Sequence, residues 1–381
     1  MKKIKFFAMA VMGLAMAASF TACSDDDNTL SNMEIYQQEV ENAVRAEKKH
    51  NKVILLVAFG STWQQAYDAF DKTRSEYQKA FPGYDVFLSF SSAICINRAA
   101  GGENTAARKF YEPMYWLEAF GRVQYQEIIV QSMQVIPGEE FSRVVNAMKD
   151  FGNNKLGDLD DKYMSKFAFD EDGNPGENVL KLGMPLMYTE DDAKTLATKL
   201  DDNFKKYAAM GAVLFMGHGN PDEYDTYKAN VRYTQLETAL QALSGTHAKN
   251  YFVGTVDMAD NFKVQVNNRM KAASFAADGK VFCVPLMSIA GDHAHNDMAG
   301  DDDEWTDEMA TQTEGEAKDV SWKKYFGHLG YTIQETPYYT DEGEDALVKG
   351  LLEYKNIRDL YIDHTKNAEA VDYYHSMYPE E

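Results

Sequence analysis

Two histidines of the sequence stand where a side chain is free to meet a ligand. His218 lies between two glycines in the apolar run 212–219, and His293 directly follows the apolar run 280–291 and one aspartate. A histidine flanked by glycines has little packing cover, so its imidazole can point into a cleft. Imidazole binds transition metals and, with an ordinary pKa of about 6.5, also accepts protons near neutral pH. The alternative is a turn histidine held by a hydrogen bond to the backbone.

Carboxylates accompany both histidines. Asp257 ends the apolar run 251–257, Asp292 precedes His293, and Glu139 and Glu140 follow another apolar run. Histidine and carboxylate at converging strand ends suit a divalent transition metal such as cobalt, iron, nickel or zinc. A structural zinc site would need four closely arranged ligands, usually including cysteines. The pattern therefore indicates an open metal site or an acid/base centre.

The segment IAGDHAHNDM (289–298) contains two histidines close together. In an extended segment alternate residues share a face, whereas in a helical turn beginning at Asp292 the two histidines diverge. We therefore expect one ligand, His293, and interpret His295 and Asp297 as supporting structure. For Asp292 and Asp297 the alternatives are a helix cap and a first-turn acid that interacts with the helix dipole.

Six apolar runs alternate with helix-length amphipathic segments. They are 53–60, 84–92, 127–136, 212–219, 251–257 and 280–291. Runs rich in Val, Ile and Phe without clean alternation predict an α/β fold with parallel sheets covered by helices on both faces. Ligands of such sheets bind beyond the carboxyl ends of the strands. We therefore expect the candidate residues to face one another across a cleft.

The chain also repeats itself. Gly60 with Gly217 and Gly138 with Gly291 form two glycine pairs with nearly the same separation along the chain. This alignment places Ser61 on His218, Glu139 on Asp292, and Glu140 on His293. The repeat predicts two similar lobes with a cleft between them. We assign them to residues 51–190 and 191–365, after a tether and helix (24–50) and before a tail (366–381).

The N-terminus has the features of a signal peptide. Three lysines precede an apolar run too short to span a bilayer, and small residues precede Cys23. We predict a lipoprotein signal peptide over 1–23, with Cys23 lipidated, so that the exported protein meets the membrane only through its lipid and faces the periplasm or the cell surface. Secretion without a lipid is the alternative.

Composition limits the ligands and the redox chemistry. The formal net charge of −22 speaks against nucleic acid as a partner. Cys95 and Cys283 lie in apolar, strand-like runs and are interpreted as buried free thiols. The polar segments 151–178 and 300–320 are interpreted as surface insertions, and the acidic run in the second as a solvated loop.

Several motifs resemble those of the anaerobic-type sirohydrochlorin cobaltochelatases, a branch of the class II chelatase group that is related to ferrochelatase. They are LLVAFGST, SSAICINR, VQSMQVIPGEEF, LGMPLM, VLFMGHGN and PLMSIAGDHAHNDMAGDD, in preserved order between about Val53 and about Leu352. The resemblance implies a two-lobed chelatase-like fold with a tetrapyrrole in the cleft. It also implies a lyase that inserts Co²⁺, or alternatively Fe²⁺, into a sirohydrochlorin-like ring, as in anaerobic cobalamin biosynthesis.

The resemblance also assigns roles to residues. His218 and His293 match the metal-binding and catalytic histidines, and Asp257 stands in place of a family glutamate, one methylene shorter. Residues proposed for binding the tetrapyrrole (sirohydrochlorin or a porphyrin) or for proton relay are Ser61, Ser91, Glu139, Glu140 and Asp292. The alternatives are a haem- or tetrapyrrole-binding lipoprotein that scavenges or transports without turnover, and a protein that binds metal alone. The oligomeric state stays open, with a homo-oligomer among the alternatives.

Overall fold

A computed structural model describes most of the chain after the N-terminal segment. The described residues are 31–152, 166–167, 176–221, 225–300, 304–313, 315–333 and 348–370. The predicted signal peptide and Cys23 lie outside them. No helix within these ranges is both long and apolar enough to cross a bilayer.

The described strands form two sheets. The strands are β1 (Lys52–Ala58), β2 (Asp85–Phe90), β3 (Glu127–Ser132), β4 (Val179–Gly183), β5 (Ala212–Gly217), β6 (Tyr251–Thr255), β7 (Lys280–Pro285), β8 (Thr332–Ile333) and β9 (Glu369–Ala370). The strand order is β2-β1-β3-β4-β9 in the first sheet and β6-β5-β7-β8 in the second. Every pair is parallel except β4 with β9. This architecture confirms the predicted α/β class.

Helices connect the strands and cover the sheets. They are α1 (Asn32–Glu47), α2 (Gln64–Ala80), α3 (Ala93–Gly101), α4 (Pro113–Arg122), α5 (Glu139–Gly152), α6 (Glu190–Ala208), α7 (Val231–Gln241), α8 (Lys263–Ala272), α9 (Glu316–Asp319), α10 (Trp322–His328) and α11 (Lys355–Lys366). The segment His293–Met298 forms a turn of π-helix. Such turns are rare and are often found at functional sites.

The first four strands of each sheet follow the same spatial order, as expected for two similar lobes. In each lobe the first strand in the chain is central, with the second strand on one side and the third on the other. Strands β1 and β5 are buried along nearly their whole length. Their continuous apolar sequences are typical of parallel strands that helices cover on both faces. The repeat in the sequence thus corresponds to a repeat of topology.

The strand register corrects one part of the internal alignment. When Gly138 is paired with Gly291, Ser132 matches Pro285, because each lies equally far before its glycine. The cross-strand pairs in the two lobes are Val57 with Ser132 and Met216 with Pro285. Residue 57 therefore matches residue 216, and the match of Gly60 with Gly217 is wrong by two positions.

Backbone conformation supports the corrected match of Gly60 with Gly219. The two glycines have φ values of 120° and 86°, and each lies two residues beyond the end of its strand. Side chains other than hydrogen are strained at such φ values, so both turns require glycine. Phe59 is thereby the counterpart of His218, and Ser61 is the counterpart of Asn220.

The C-terminal helix joins the second half of the chain to the first sheet. Although α11 falls within the range assigned to the second lobe, its Tyr361 hydroxyl donates to the carbonyls of Met133 and Gln134 beyond β3. Buried Arg358 of the same helix pairs with Glu76 of α2 at 2.7 Å. The short β9, within the predicted tail, extends the first sheet. These contacts hold the two lobes together.

Two local predictions are wrong. Cys95 lies in α3 rather than in a strand, because the Ser92 hydroxyl accepts a hydrogen bond from its backbone N–H and starts a helix there. Both cysteines are free, as predicted, but only Cys283, in β7, is fully buried, whereas Cys95 is partly exposed. The segment 300–320 is not only a surface insertion, because Val320 is buried in the core of the second lobe.

Candidate active site

A cavity of about 310 Å³ opens between the two lobes at the carboxyl ends of the central strands. Six predicted site residues line it: Ser61, Glu139, Glu140, His218, Asp292 and His293. The two other predicted residues, Ser91 and Asp257, each contact one of these lining residues. The sequence prediction that these side chains converge at one cleft therefore agrees with the geometry.

His218 is oriented by its own loop. Its Nδ1 donates a hydrogen bond to the Gly219 carbonyl at 2.7 Å, which leaves Nε2 to face the cleft. The predicted alternative, a histidine bonded to the backbone, is thus also present, and it serves to aim the ring. Although 47% of the side chain is accessible, the protein around it desolvates the imidazole and lowers its pKa, and the nearby His293 adds to this effect. The imidazole of His218 is therefore neutral over a wider pH range than that of a free histidine.

His293 begins the π-helical turn and faces His218. The two ring centroids are 4.6 Å apart and the rings are nearly perpendicular, at 82°. The Nδ1 of His293 donates to Asp297 Oδ2 at 2.6 Å, again leaving Nε2 for a ligand. Burial disfavours the charged ring, but the bond to Asp297 and the carboxylates of Asp257 and Asp292 outweigh it and raise the pKa of His293. Asp297 thus supports the ring of His293, a more specific contact than the general structural role expected from the sequence.

Asp257 lies beside the two histidines. Its Oδ2 is 3.5 Å from His218 Nε2, and its Oδ1 is 3.2 Å from the ammonium of Lys318 on α9. Within the described ranges no three His, Cys, Asp or Glu side chains are grouped tightly enough to hold a metal ion. The arrangement is therefore an open pair of histidines with a neighbouring carboxylate that a lysine neutralises. An open site of this kind suits a metal that must leave again.

The first lobe contributes carboxylates from the start of α5. Burial raises the pKa of Glu140, and this effect outweighs the opposing charge of Arg143. The Ser91 hydroxyl donates to Glu140 Oε2 at 3.3 Å. Arg143 pairs with Glu139 at 2.7 Å and is farther from Glu140, at 3.8 Å. The backbone N–H of Glu139 donates to Asn220 of the other lobe at 3.1 Å. The raised pKa makes the carboxylate of Glu140 a candidate proton acceptor.

Asp292 and His295 both contact Trp63 of the first lobe. Asp292 does not cap the helical turn, so that alternative is wrong; its carboxylate accepts from Trp63 Nε1 at 2.7 Å instead. The buried ring of His295 stacks on the Trp63 indole with centroids 3.7 Å apart. The two histidines of the segment therefore diverge, as predicted for a helical turn. Ser61 accepts a hydrogen bond from the Trp63 backbone N–H at 3.2 Å.

Sequence reasoning missed the roles of Trp63 and Lys318. Trp63 contacts a residue 229 positions away, and nothing in the local sequence indicates that partner. Lys318 lies in a segment that composition alone assigned to the surface. Both cases depend on tertiary contacts, although a tryptophan just beyond a strand end was a usable signal.

The chain is similar to known proteins over most of its length. Residues 52–370 match the sequence profile of the family described as cobalt chelatase (CbiK). The sirohydrochlorin cobaltochelatase of Salmonella typhimurium is 23% identical over 304 residues, which cover 79% of this chain and 93% of that protein. The sirohydrochlorin cobaltochelatase CbiKC of Nitratidesulfovibrio vulgaris is 26% identical over 329 residues, covering 84% and 92% respectively. The resemblance inferred from the motifs is confirmed, and the chain belongs to the cobalt chelatase family.

Proposed function

We propose that this chelatase inserts cobalt into sirohydrochlorin or a closely similar tetrapyrrole. The observation that carries the proposal is the pair of histidine Nε2 atoms that face one cleft, each ring being held through its Nδ1. The relatives from Salmonella typhimurium and Nitratidesulfovibrio vulgaris are both named for cobalt insertion into sirohydrochlorin. Iron is a second candidate substrate, because imidazole and carboxylate ligands accept both metals.

The second lobe holds the metal. Cobalt binds Nε2 of His218 and of His293, and Asp257 supplies a carboxylate when it leaves Lys318. The lowered pKa of His218 keeps this ligand free of a proton. Asp297 holds the ring of His293 in place and makes its Nε2 more basic, as carboxylates bonded to metal-binding histidines commonly do.

Insertion requires the loss of two protons from the tetrapyrrole. The divalent metal replaces two pyrrole N–H protons, so each must pass to a base within hydrogen-bond reach. As the metal passes from imidazole to the ring nitrogens, Nε2 of His293 becomes free and accepts one proton. Glu140 accepts the other, since burial raises the pKa of its carboxyl group. Metal and protons thus balance without any further reactant.

The direct test is cobalt insertion by His218→Ala and His293→Ala, followed through the absorption spectrum of sirohydrochlorin. We expect each variant to lose at least about 100-fold in turnover, the lower range for removing a general base, because each change also removes a metal ligand. His247→Ala is the matched control, since His247 pairs with Asp201 at 2.8 Å elsewhere in the fold.

Two outcomes would contradict the proposal. Turnover near the parent level in both active-site variants would show that the histidines do not carry the reaction. A stoichiometric spectral change without turnover in the parent protein would instead support the tetrapyrrole-binding alternative. Assays with Co²⁺ and Fe²⁺ in parallel establish which metal the protein prefers.

We also propose that the protein is exported as a lipoprotein. The support is the N-terminal sequence alone, with its lysines, apolar run and small residues before Cys23. Growth with labelled palmitate should label the parent protein and the control Cys95→Ser, but not Cys23→Ser. An unlabelled parent protein would contradict the lipid anchor.

A further inference from the structure

Trp63 connects the first lobe to the segment that carries His293. Its indole N–H donates to Asp292 Oδ1 at 2.7 Å, and its ring stacks on His295 at 3.7 Å with an interplanar angle of 12°. Trp63 itself is fixed at the start of α2, where its backbone N–H donates to the Ser61 hydroxyl. The tryptophan therefore joins the loop after β1 in the first lobe to the π-helical turn of the second lobe.

The two contacts of Trp63 bracket the metal-binding histidine. Asp292 precedes His293 by one residue, and His295 follows it by two. In the π-helical turn, His293 contacts Asp297, whereas Asp292 and His295 contact Trp63. Because Trp63 holds the turn on both sides of His293 in the sequence, it also fixes the direction in which His293 extends from the turn.

Other contacts between the first lobe and this turn are weaker. Arg98 approaches Asp292 at 3.4 Å, but both side chains are substantially exposed, at 38% and 44%. Exposed ion pairs contribute little to stability. By contrast, the ring of His295 is buried, so its stacking with Trp63 excludes water. Trp63 is thus the principal support of the turn from the first lobe.

We propose that Trp63 is a positioning residue that fixes His293 as a metal ligand, so that metal binding by the second lobe depends on the first. This inference rests on the proposed function, because it takes His218 and His293 as the metal ligands. Asp297 sets the rotation of the imidazole, whereas Trp63 sets the backbone turn from which the imidazole extends. Residues that orient a metal ligand without binding the metal themselves commonly change metal affinity about 10-fold to 100-fold.

The test measures the Kd for Co²⁺ of the metal-free protein by absorption or calorimetric titration. Trp63→Ala removes the stack and the hydrogen bond and should raise the Kd about 10-fold or more. Trp63→Phe keeps an aromatic ring over His295 and should raise it by a smaller factor. Asp292→Asn keeps an acceptor oxygen for the indole N–H and should raise the Kd by a smaller factor than Trp63→Ala does.

Two controls separate positioning from general damage. Trp305→Ala breaks another stacked tryptophan–histidine pair, that of Trp305 with His328 at 4.6 Å, and should leave the Kd for Co²⁺ unchanged. The Kd for sirohydrochlorin should change less than about twofold in the Trp63 variants, because Trp63 is not among the cavity-lining residues. If Trp63 had only a general structural role, its loss would weaken the binding of Co²⁺ and of sirohydrochlorin alike.

The outcomes distinguish this inference from the proposed function. A folded Trp63→Ala variant with the parent Kd for Co²⁺ overturns the inference, while loss of binding in His218→Ala leaves the proposed function standing. Absence of cobalt binding in the parent protein contradicts the proposed function itself. If Trp63→Ala does not fold, as judged by circular dichroism, the same comparison is made with Trp63→Phe, and an unchanged Kd overturns the inference.

Discussion

The two lobes present different chemistry at matching positions of one cleft. Just beyond the central strand lies Phe59 in the first lobe and His218 in the second. At the start of α5 lies Glu140, and at the matching start of the π-helical turn lies His293. One edge of the cleft is thus apolar and acidic, and the opposite edge carries two histidines. A repeated framework therefore separates two tasks of the reaction.

This difference suits a planar substrate held between the lobes. The histidine edge can deliver a metal to one face of the ring, while the other edge supports the ring and accepts a proton. A cleft with histidines on both edges would bind metal on both faces and favour no direction of transfer. The comparison leads to four predictions, of which the change to Glu140 should have the greatest effect on activity and the change to Glu127 the least.

Glu140→Gln removes the proton acceptor of the first lobe. We expect kcat for cobalt insertion to fall about 100-fold, the lower range for removing a general base, and the Kd for Co²⁺ to stay unchanged. Steady-state kinetics and a metal titration measure the two quantities. Glu139→Gln is the matched control and should remain near the parent level, because Glu139 is engaged with Arg143. Equal losses in both variants would remove Glu140 from the mechanism.

Asp297→Asn weakens the support of His293 in the second lobe. Asp297 raises the pKa of His293, so in the parent protein a proton competes with the metal up to a higher pH. The variant should lower this pKa, and the midpoint of Co²⁺ binding against pH should move to lower pH. Well above the midpoint, affinity should be about tenfold weaker because the ring is less well oriented. Metal titrations from mildly acidic to mildly basic pH measure the midpoint of Co²⁺ binding, and an unchanged midpoint would show that Asp297 does not act on His293. Asp201→Asn, which changes the partner of another histidine, is the control and should leave the midpoint unchanged.

Phe59→Ala tests whether the counterpart of His218 supports the ring. Removing a partly exposed aromatic side chain from the cavity wall should raise KM for the tetrapyrrole about tenfold, with the Kd for Co²⁺ unchanged. Met210→Ala truncates another exposed apolar side chain away from the cavity and serves as the control. Weakened cobalt binding with unchanged KM for the ring would reverse the assignment of the two edges.

Glu127→Gln tests the comparison at the opposite ends of the strands. Glu127 begins β3 and pairs with Lys52 and Lys181, whereas its counterpart Lys280 begins β7 and is exposed. Burial opposes ionisation of Glu127, but its partners outweigh this and lower its pKa from 4.5 to about 2. Its stabilising effect is therefore complete above about pH 4.5 and is lost as the pH falls toward about 2.

The expected result is a variant that is less stable than the parent at neutral pH and whose stability depends less on pH between 4.5 and about 2. Urea unfolding at several pH values measures both effects, and activity at neutral pH should be nearly unchanged. Lys280→Gln should have little effect at any pH. If the free energy of unfolding depended on pH in the same way in Glu127→Gln and in the parent, the pKa argument would be contradicted.

Much of the fold was predictable because parallel strands covered on both faces carry continuous apolar sequence. The six predicted runs correspond to β1, β2, β3, β5, β6 and β7, each ending somewhat earlier than the run does. Strand β4 and the short β8 and β9 lie outside these runs and were not predicted. The placement of α11 on the first sheet was missed because helix amphipathicity shows that a face is buried but not against which partner.

The candidate site was predictable in its residues but not in its alignment. The sequence GHG offers two glycines to pair with Gly60, and the strand register and the positive φ of Gly219 decide between them. The divergence of His293 and His295 followed from helical geometry, since neighbours on a helix face different sides. The partners of Trp63 could not be assigned from the sequence, because Asp292 and His295 lie in the other lobe.

The most direct test of the separation between the two edges is X-ray absorption spectroscopy of the Co²⁺-loaded protein. We predict two imidazole nitrogens bound to cobalt in the parent protein and in Glu140→Gln, with fewer in His218→Ala and in His293→Ala. A cobalt coordination shell that is the same in the double variant His218→Ala/His293→Ala as in the parent would contradict the account.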